Sequence, residues 1–126
     1  MGYTRYWNRT TKPITEEFCE KVNEIIKDSE QRGIKIRNGL GTNKSIVTMD
    51  KILINGDKDH NLDHETLGFT NTEKGFGFCK TARKPYDYTV REILKVAEDM
   101  GIVTDVSDDG ANDRIISDDD YIHGRY

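Results

Sequence analysis

No apolar run in this 126-residue sequence approaches the ~20 residues that a membrane-crossing helix needs, which argues against a helical membrane protein. Cysteine is scarce. Cys19 lies in a helical pattern and Cys79 in a strand pattern, and both read as reduced, intracellular thiols. The opening Met1-Gly2-Tyr3-Thr4-Arg5 lacks the charged-then-apolar order of a secretory signal, and Tyr6 stands where a myristoylation motif has Ser or Thr. There is no internal repeat and no low-complexity linker. The expectation is a cytoplasmic protein forming one compact domain over 1–126, with 107–126 as an acidic tail whose order depends on docking.

Charge is abundant. Asp, Glu, Lys and Arg make up 33% of the chain against 34% hydrophobic residues, with a mean hydropathy of -0.78, so apolar side chains must be concentrated on a few element faces. Along the chain, 2–10 is aromatic-rich and reads as a strand. Thr15 is a fitting N-cap for a helix with Glu16 and Glu17 in its first turn, Phe18, Val22, Ile25 and Ile26 at helical spacing, and an end near Gly33. Ile34-Lys35-Ile36-Arg37 alternates as a strand does. Short strands are expected over 45–48, 51–54 and 76–79, with His64, Glu65 and Thr66 at a loop-to-strand junction that leads into Leu67 and Phe69. A second helix starts near Tyr86, with Thr89 and Glu92 as a capping box if its first turn is irregular, and stops at Gly101; a strand follows over 102–106. The pattern predicts an α+β fold: a mainly antiparallel sheet of five to seven short strands, with two amphipathic helices packed on one face.

The stretch from Phe78 to Asp87 places Lys80, Arg83 and Lys84 within five residues, just ahead of the second helix. A helix start presents unpaired N–H groups and the positive end of the helix dipole, so cations there favour phosphate or carboxylate. The stretch has a net charge of +2 in a chain of -4, which leaves the remainder at -6. A local basic cluster on an acidic chain suits a small anionic ligand and argues against duplex nucleic acid. Arg83 is the expected bidentate partner, Lys80 the point charge and Lys84 a third cation. The Thr81 hydroxyl adjoins them, and Tyr86, Tyr3 and Trp7 are candidate rings for stacking on a base.

Other constellations are weaker. His64 with Glu65 provides an alternative acid/base pair on a phosphate ester, though a surface His64 hydrogen-bonded by Thr66 is the commoner arrangement. His60 and His64 stand four apart, but on a loop-to-strand pattern rather than a helix, so no metal pair follows. Gly39 to Ser45 lacks the second Gly and the following helix of a phosphate-binding loop. Asp105 to Gly110 echoes a calcium loop but has Ile116 where the bidentate Glu belongs. Cys79 reads as a packing residue. No cofactor or metal is called for, and a homo-oligomer is left open.

Gly2-Tyr3-Thr4-x-Tyr6-Trp7, His64-Glu65-Thr66 and the ten-residue Phe78-Cys79-Lys80-Thr81-Ala82-Arg83-Lys84-Pro85-Tyr86-Asp87 together resemble a family of small uncharacterised proteins of bacteria and their phages. The chain differs from that pattern at Arg5, where relatives have His, and at Leu67, where they have an aromatic. The resemblance implies binding over catalysis if the replaced His is catalytic in the family. It also implies a bacterial or phage context, in which a cationic, aromatic-lined pocket is similar to those of proteins that sequester nucleotide immune signals of the host. The resulting expectation is non-covalent capture of a phosphorylated nucleotide-like ligand such as a cyclic nucleotide or an ADP-ribose derivative, as a phage counter-defence sponge, in a pocket of Lys80, Thr81, Arg83, Lys84 and Tyr86 with His64, Thr66, Tyr3 and Trp7 as further binding residues. A small phosphodiesterase using His64 and Glu65, or an interaction module using the acidic tail, is the alternative.

Overall fold

Alternation along β1 (Thr4–Arg9) organises the molecule. In the computed structural model, which describes residues 3–41 and 43–109, Arg5, Trp7 and Arg9 point inward and Tyr6 and Asn8 point towards solvent. β1 is the middle strand of a three-stranded antiparallel sheet, flanked by β5 (Gly75–Lys80) and β6 (Val103–Asp108). Trp7 lies opposite Gly77, and that glycine is needed for the fit: a Cβ there would stand 2.6 Å from the indole Nε1. The indole reaches the core, edge-on to Phe69 with ring centroids 5.5 Å apart.

The first helix, α1 (Glu16–Gln31), forms as its sequence predicts. The Thr15 hydroxyl accepts from the Phe18 N–H at 3.1 Å, and Phe18, Val22 and Ile26 are buried on one stripe. Ile34 and Ile36 then alternate inward with Lys35 outward, yet the segment is not a strand. Only Arg37 forms bridges, exchanging both backbone bonds with Asn55 and facing Lys44. The alternation records burial on one side of an extended chain, which is a weaker condition than a continuous partner edge.

β2 (Ile46–Val47), β3 (Lys51–Ile54) and β4 (Leu67–Thr70) make a second three-stranded antiparallel sheet in that order. The expected α+β fold is thus present, with six strands and two helices among the described residues, the strands being divided between two sheets. The second helix, α2 (Tyr86–Asp99), packs on α1, where buried Ser29 and Thr89 share a 2.6 Å hydrogen bond. The Thr89–Glu92 capping box is not formed: Thr89 lies inside the helix against Ser29, and Glu92 pairs with Arg91 and Lys95. Gly101, at φ 76°, ends the connection and turns the chain into β6. The tail beyond Asp109, including Gly110 and Ile116 of the calcium-loop pattern, lies outside the described residues, as does Gly2. Among the described residues no helix is long and apolar enough to cross a membrane.

Candidate functional site

Beyond β5 the basic stretch makes a tight connection into α2. Thr81 and Ala82 donate their N–H groups to the Tyr3 carbonyl, and Ala82 and Arg83 take left-handed conformations at φ 53° and 55°. Two consecutive non-glycine residues in that region cost conformational energy, which the surrounding contacts offset. The chief contact is an internal anion. Asp87, fully buried in the first turn of α2, accepts the Thr81 hydroxyl at 2.6 Å and the Arg5 guanidinium through Nε at 2.8 Å and Nη2 at 2.9 Å. Asp87 also places a negative charge in the first turn of the helix, where it suits the dipole. Burial works against the Arg5 charge, but the Asp87 hydrogen bond and charge prevail and raise its pKa.

The three cations of the stretch run to separate partners. The Arg83 guanidinium lies 4.3 Å from the Tyr3 ring centroid, and Arg5 lies 5.3 Å from the same ring. The Tyr3 hydroxyl is pushed up to about 12, chiefly by burial and against the opposing pull of Arg5. Lys84 donates to the Asn61 carbonyl at 3.0 Å. Lys80 extends over the outward sheet face, with Nζ 6.0 Å from the Phe78 ring centroid. Of the predicted set, the structure brings Arg83 to Tyr3, while Lys84 contacts Asn61 and Lys80 lies by Phe78.

Several expected roles are corrected by burial. Tyr86 presents no flat ring to a ligand: it is fully buried, and its hydroxyl donates to the Glu65 carbonyl at 2.5 Å. Trp7 is only 2% exposed and serves the core. The Thr81 hydroxyl is engaged by Asp87. Thr66 donates its hydroxyl to the Gly39 carbonyl rather than to His64, and His64 is held through its backbone by the Asn55 amide. Glu65 bonds the edge of β5: its N–H donates to the Lys80 carbonyl and its carboxylate accepts the Lys80 N–H, both at 3.0 Å. Cys79 is a buried packing thiol, pushed up to about 12 by burial above all.

Three features escaped the sequence reading. The first is the Arg5–Asp87 pair. The second is Asp57, a buried carboxylate 2.5 Å from His60 Nδ1 and within 4.0 Å of Lys35 and Arg37. The His60 hydrogen bond is the main cause that holds its carboxyl below the usual carboxylate range. The third is an exposed aromatic row on the outward face of β5 and β1. Phe76 is 67% and Phe78 47% exposed, their centroids are 6.1 Å apart, and Tyr6 stacks on Phe76 at 6.0 Å. The spacing Phe76-x-Phe78-x-Lys80 puts these three on one strand face, but only the register shows which face meets solvent.

Two clefts adjoin these elements. One of about 310 Å3, between β4 and β5, is lined by Trp7, Thr66, Gly68, Glu73, Phe76, Gly77 and Phe78. The other, about 470 Å3, is a largely apolar hollow beside Leu40, Ile46 and Leu53. Among the described residues no group of three or more His, Cys, Asp or Glu is placed to hold a metal ion. Comparison with protein-family models, curated proteins and solved structures found no match to this chain.

Proposed function

We propose that the protein captures a small phosphorylated, base-bearing ligand, with Lys80 as the phosphate contact and Phe78 and Phe76 as the stacking rings. The observation that carries this reading is the exposed row of Tyr6, Phe76 and Phe78 ending at Lys80. Large rings held in water on an ordered strand forgo burial, and they gain it when a base stacks on them, at about 1–3 kcal/mol per base. Lys80 adds a charge at the end of the row, and Arg83 on Tyr3 supplies a second cation near the same end of the sheet. The overall charge of -4 favours a small anion over a long nucleic acid.

Calorimetry with a cyclic dinucleotide and with ADP-ribose tests this. Lys80→Ala and Phe78→Ala should each weaken binding by about tenfold or more, while Lys21→Ala on the solvated face of α1 changes nothing. Equal effects of all three, or no binding to the unaltered protein, would sink the proposal. The motif resemblance extends it to a phage protein that sequesters a host signal in the bacterial cytoplasm. Recovery of intact ligand after denaturation supports that extension.

The Asp57–His60 contact favours a second reading, hydrolysis of a phosphodiester by water. Asp57 would orient the ring so that His60 Nε2 takes the proton of the attacking water as its oxygen bonds to phosphorus, and the resulting imidazolium returns that proton to the departing ester oxygen as its P–O bond breaks. Lys35 and Arg37 would offset the phosphate charge. Here His60 replaces His64, because the Glu65 carboxylate is bonded to the Lys80 amide. Cleaved product from the unaltered protein, reduced about 100-fold or more in His60→Gln, identifies this reading.

A further inference from the structure

We propose that Trp7 Nε1–H chooses the base of the captured ligand, and that the base it takes carries an exocyclic carbonyl, which excludes adenine. This choice rests on ligand capture as read above and adds which bases are accepted. Trp7 is 2% exposed, and its Nε1–H, a group that can only donate, has no acceptor among the described residues. A buried N–H in that state is uncommon, because it has left water without gaining a bond in return. Arg9 Nε is unpaired in the same way, but Arg9 is not part of a cleft wall, whereas Trp7 is.

The cleft between β4 and β5 brings this donor to the stacking rings. The indole edge formed by Nε1, Cε2 and Cζ2 lies against Gly77, where an added Cβ would stand within 3 Å of all three atoms. Gly77 lines the cleft beside Trp7, and so do Phe76 and Phe78, the rings on which the base stacks in the capture reading. With no side chain on Gly77, or on Gly68 of β4, the edge of a flat ring can come close to the indole. The other hydrogen-bonding hydroxyl of the wall is engaged: Thr66 gives its proton to the Gly39 carbonyl at 2.8 Å. Glu73 can only accept. Trp7 is therefore the side-chain donor that the wall holds for a ligand.

The recessed position of the donor decides what can meet it. A carbonyl oxygen projects about 1.2 Å beyond the ring that bears it and accepts over a broad range of directions. A ring nitrogen lies within the outline of its ring, and an amino group faces the indole N–H with a second donor. Adenine offers only these two. Guanine, hypoxanthine, uracil and cytosine each carry a carbonyl. Stacking on Phe76 and Phe78 and the phosphate contact at Lys80 are common to all nucleotides, so they hold the ligand without choosing it. A ligand that leaves the buried N–H unpaired forgoes the one bond that distinguishes the bases, and sites that bond a particular group discriminate strongly against analogues lacking it.

The test compares cyclic di-GMP, cyclic di-AMP and cyclic di-IMP, the last differing from cyclic di-AMP in carrying a carbonyl where adenine has its amino group. Each is titrated into the full chain, followed by calorimetry and by nitrogen-15 NMR. Trp7 is the single tryptophan, so its Nε1–H gives the one indole signal of the spectrum. Cyclic di-GMP and cyclic di-IMP should bind about tenfold or more tighter than cyclic di-AMP, and they alone should move the indole proton downfield, as a new hydrogen bond does. ADP-ribose, an adenine ligand, should bind as weakly as cyclic di-AMP or more so. The choice by Trp7 is overturned, with capture left standing, if cyclic di-AMP binds as tightly as cyclic di-IMP or if cyclic di-IMP binds without moving the indole signal. It is also overturned if the indole proton of the protein alone already lies at a hydrogen-bonded position. If none of the ligands binds, capture and the choice of base fall together.

Discussion

Asp87 receives Arg5 in a two-point pair, at 2.8 and 2.9 Å, between residues 82 positions apart in the chain. Both side chains are almost wholly buried, and Asp108 stands 3.5 Å from the same guanidinium. The pair ties the central strand to the first turn of α2.

Breaking this pair should be costly. Asp87→Ala leaves a buried guanidinium without its main counter-charge, and urea unfolding should show a loss of about 3–5 kcal/mol. Arg5→Lys should recover only part of the stability lost in Arg5→Ala, because an ammonium cannot form the two parallel bonds. A loss below about 1 kcal/mol for Asp87→Ala, the scale of an exposed ion pair, would contradict this account.

Acidification should act through Asp57. Its carboxyl is held below the usual range, chiefly by the His60 hydrogen bond and against the effect of burial. A carboxyl with a lowered folded-state pKa contributes stability that is present above its unfolded value, about 3.9, and is lost as pH falls through the folded value. Urea midpoints measured downward from about pH 5 should therefore fall more steeply in the unaltered protein than in Asp57→Asn. Parallel curves would remove Asp57 from the acid response.

Gly77→Ala should disturb Trp7 directly. The added methyl would lie 2.6 Å from Nε1 and within 3 Å of two further indole atoms, so the ring must move. Overpacking of this kind costs about 1–3 kcal/mol, and the tryptophan emission should shift with it. Unchanged emission and an unchanged melting temperature would mean that the ring does not rest on the glycine.

Much of the local structure could be read from pattern. Thr15 with Phe18, Val22 and Ile26 specifies α1 because capping and a 3.6-residue apolar stripe act within a few turns. Phe76, Gly77, Phe78 and Cys79 identify β5 for a similarly local reason. The alternation of Ile34 and Ile36 misled, because burial on one side of an extended chain gives the same signature as pairing. Tyr86 misled for another reason: a tyrosine at a helix start suits a ligand pocket and a core equally, and its hydroxyl found the Glu65 carbonyl 21 residues away.

The sequence by itself determined most element types, the two amphipathic helices among them, the concentration of cations between Lys80 and Lys84, and the acidity of the rest, since these depend on neighbours within a few residues. Tertiary structure decided which charges meet and which faces remain in water. Arg5 reaches Asp87 and His60 reaches Asp57 only once the chain has folded, while Phe76 and Phe78 stay exposed because β1 pairs with β5 in the register that turns Trp7 and Cys79 inward. A shift of one residue would reverse those faces, and only long-range pairing fixes it.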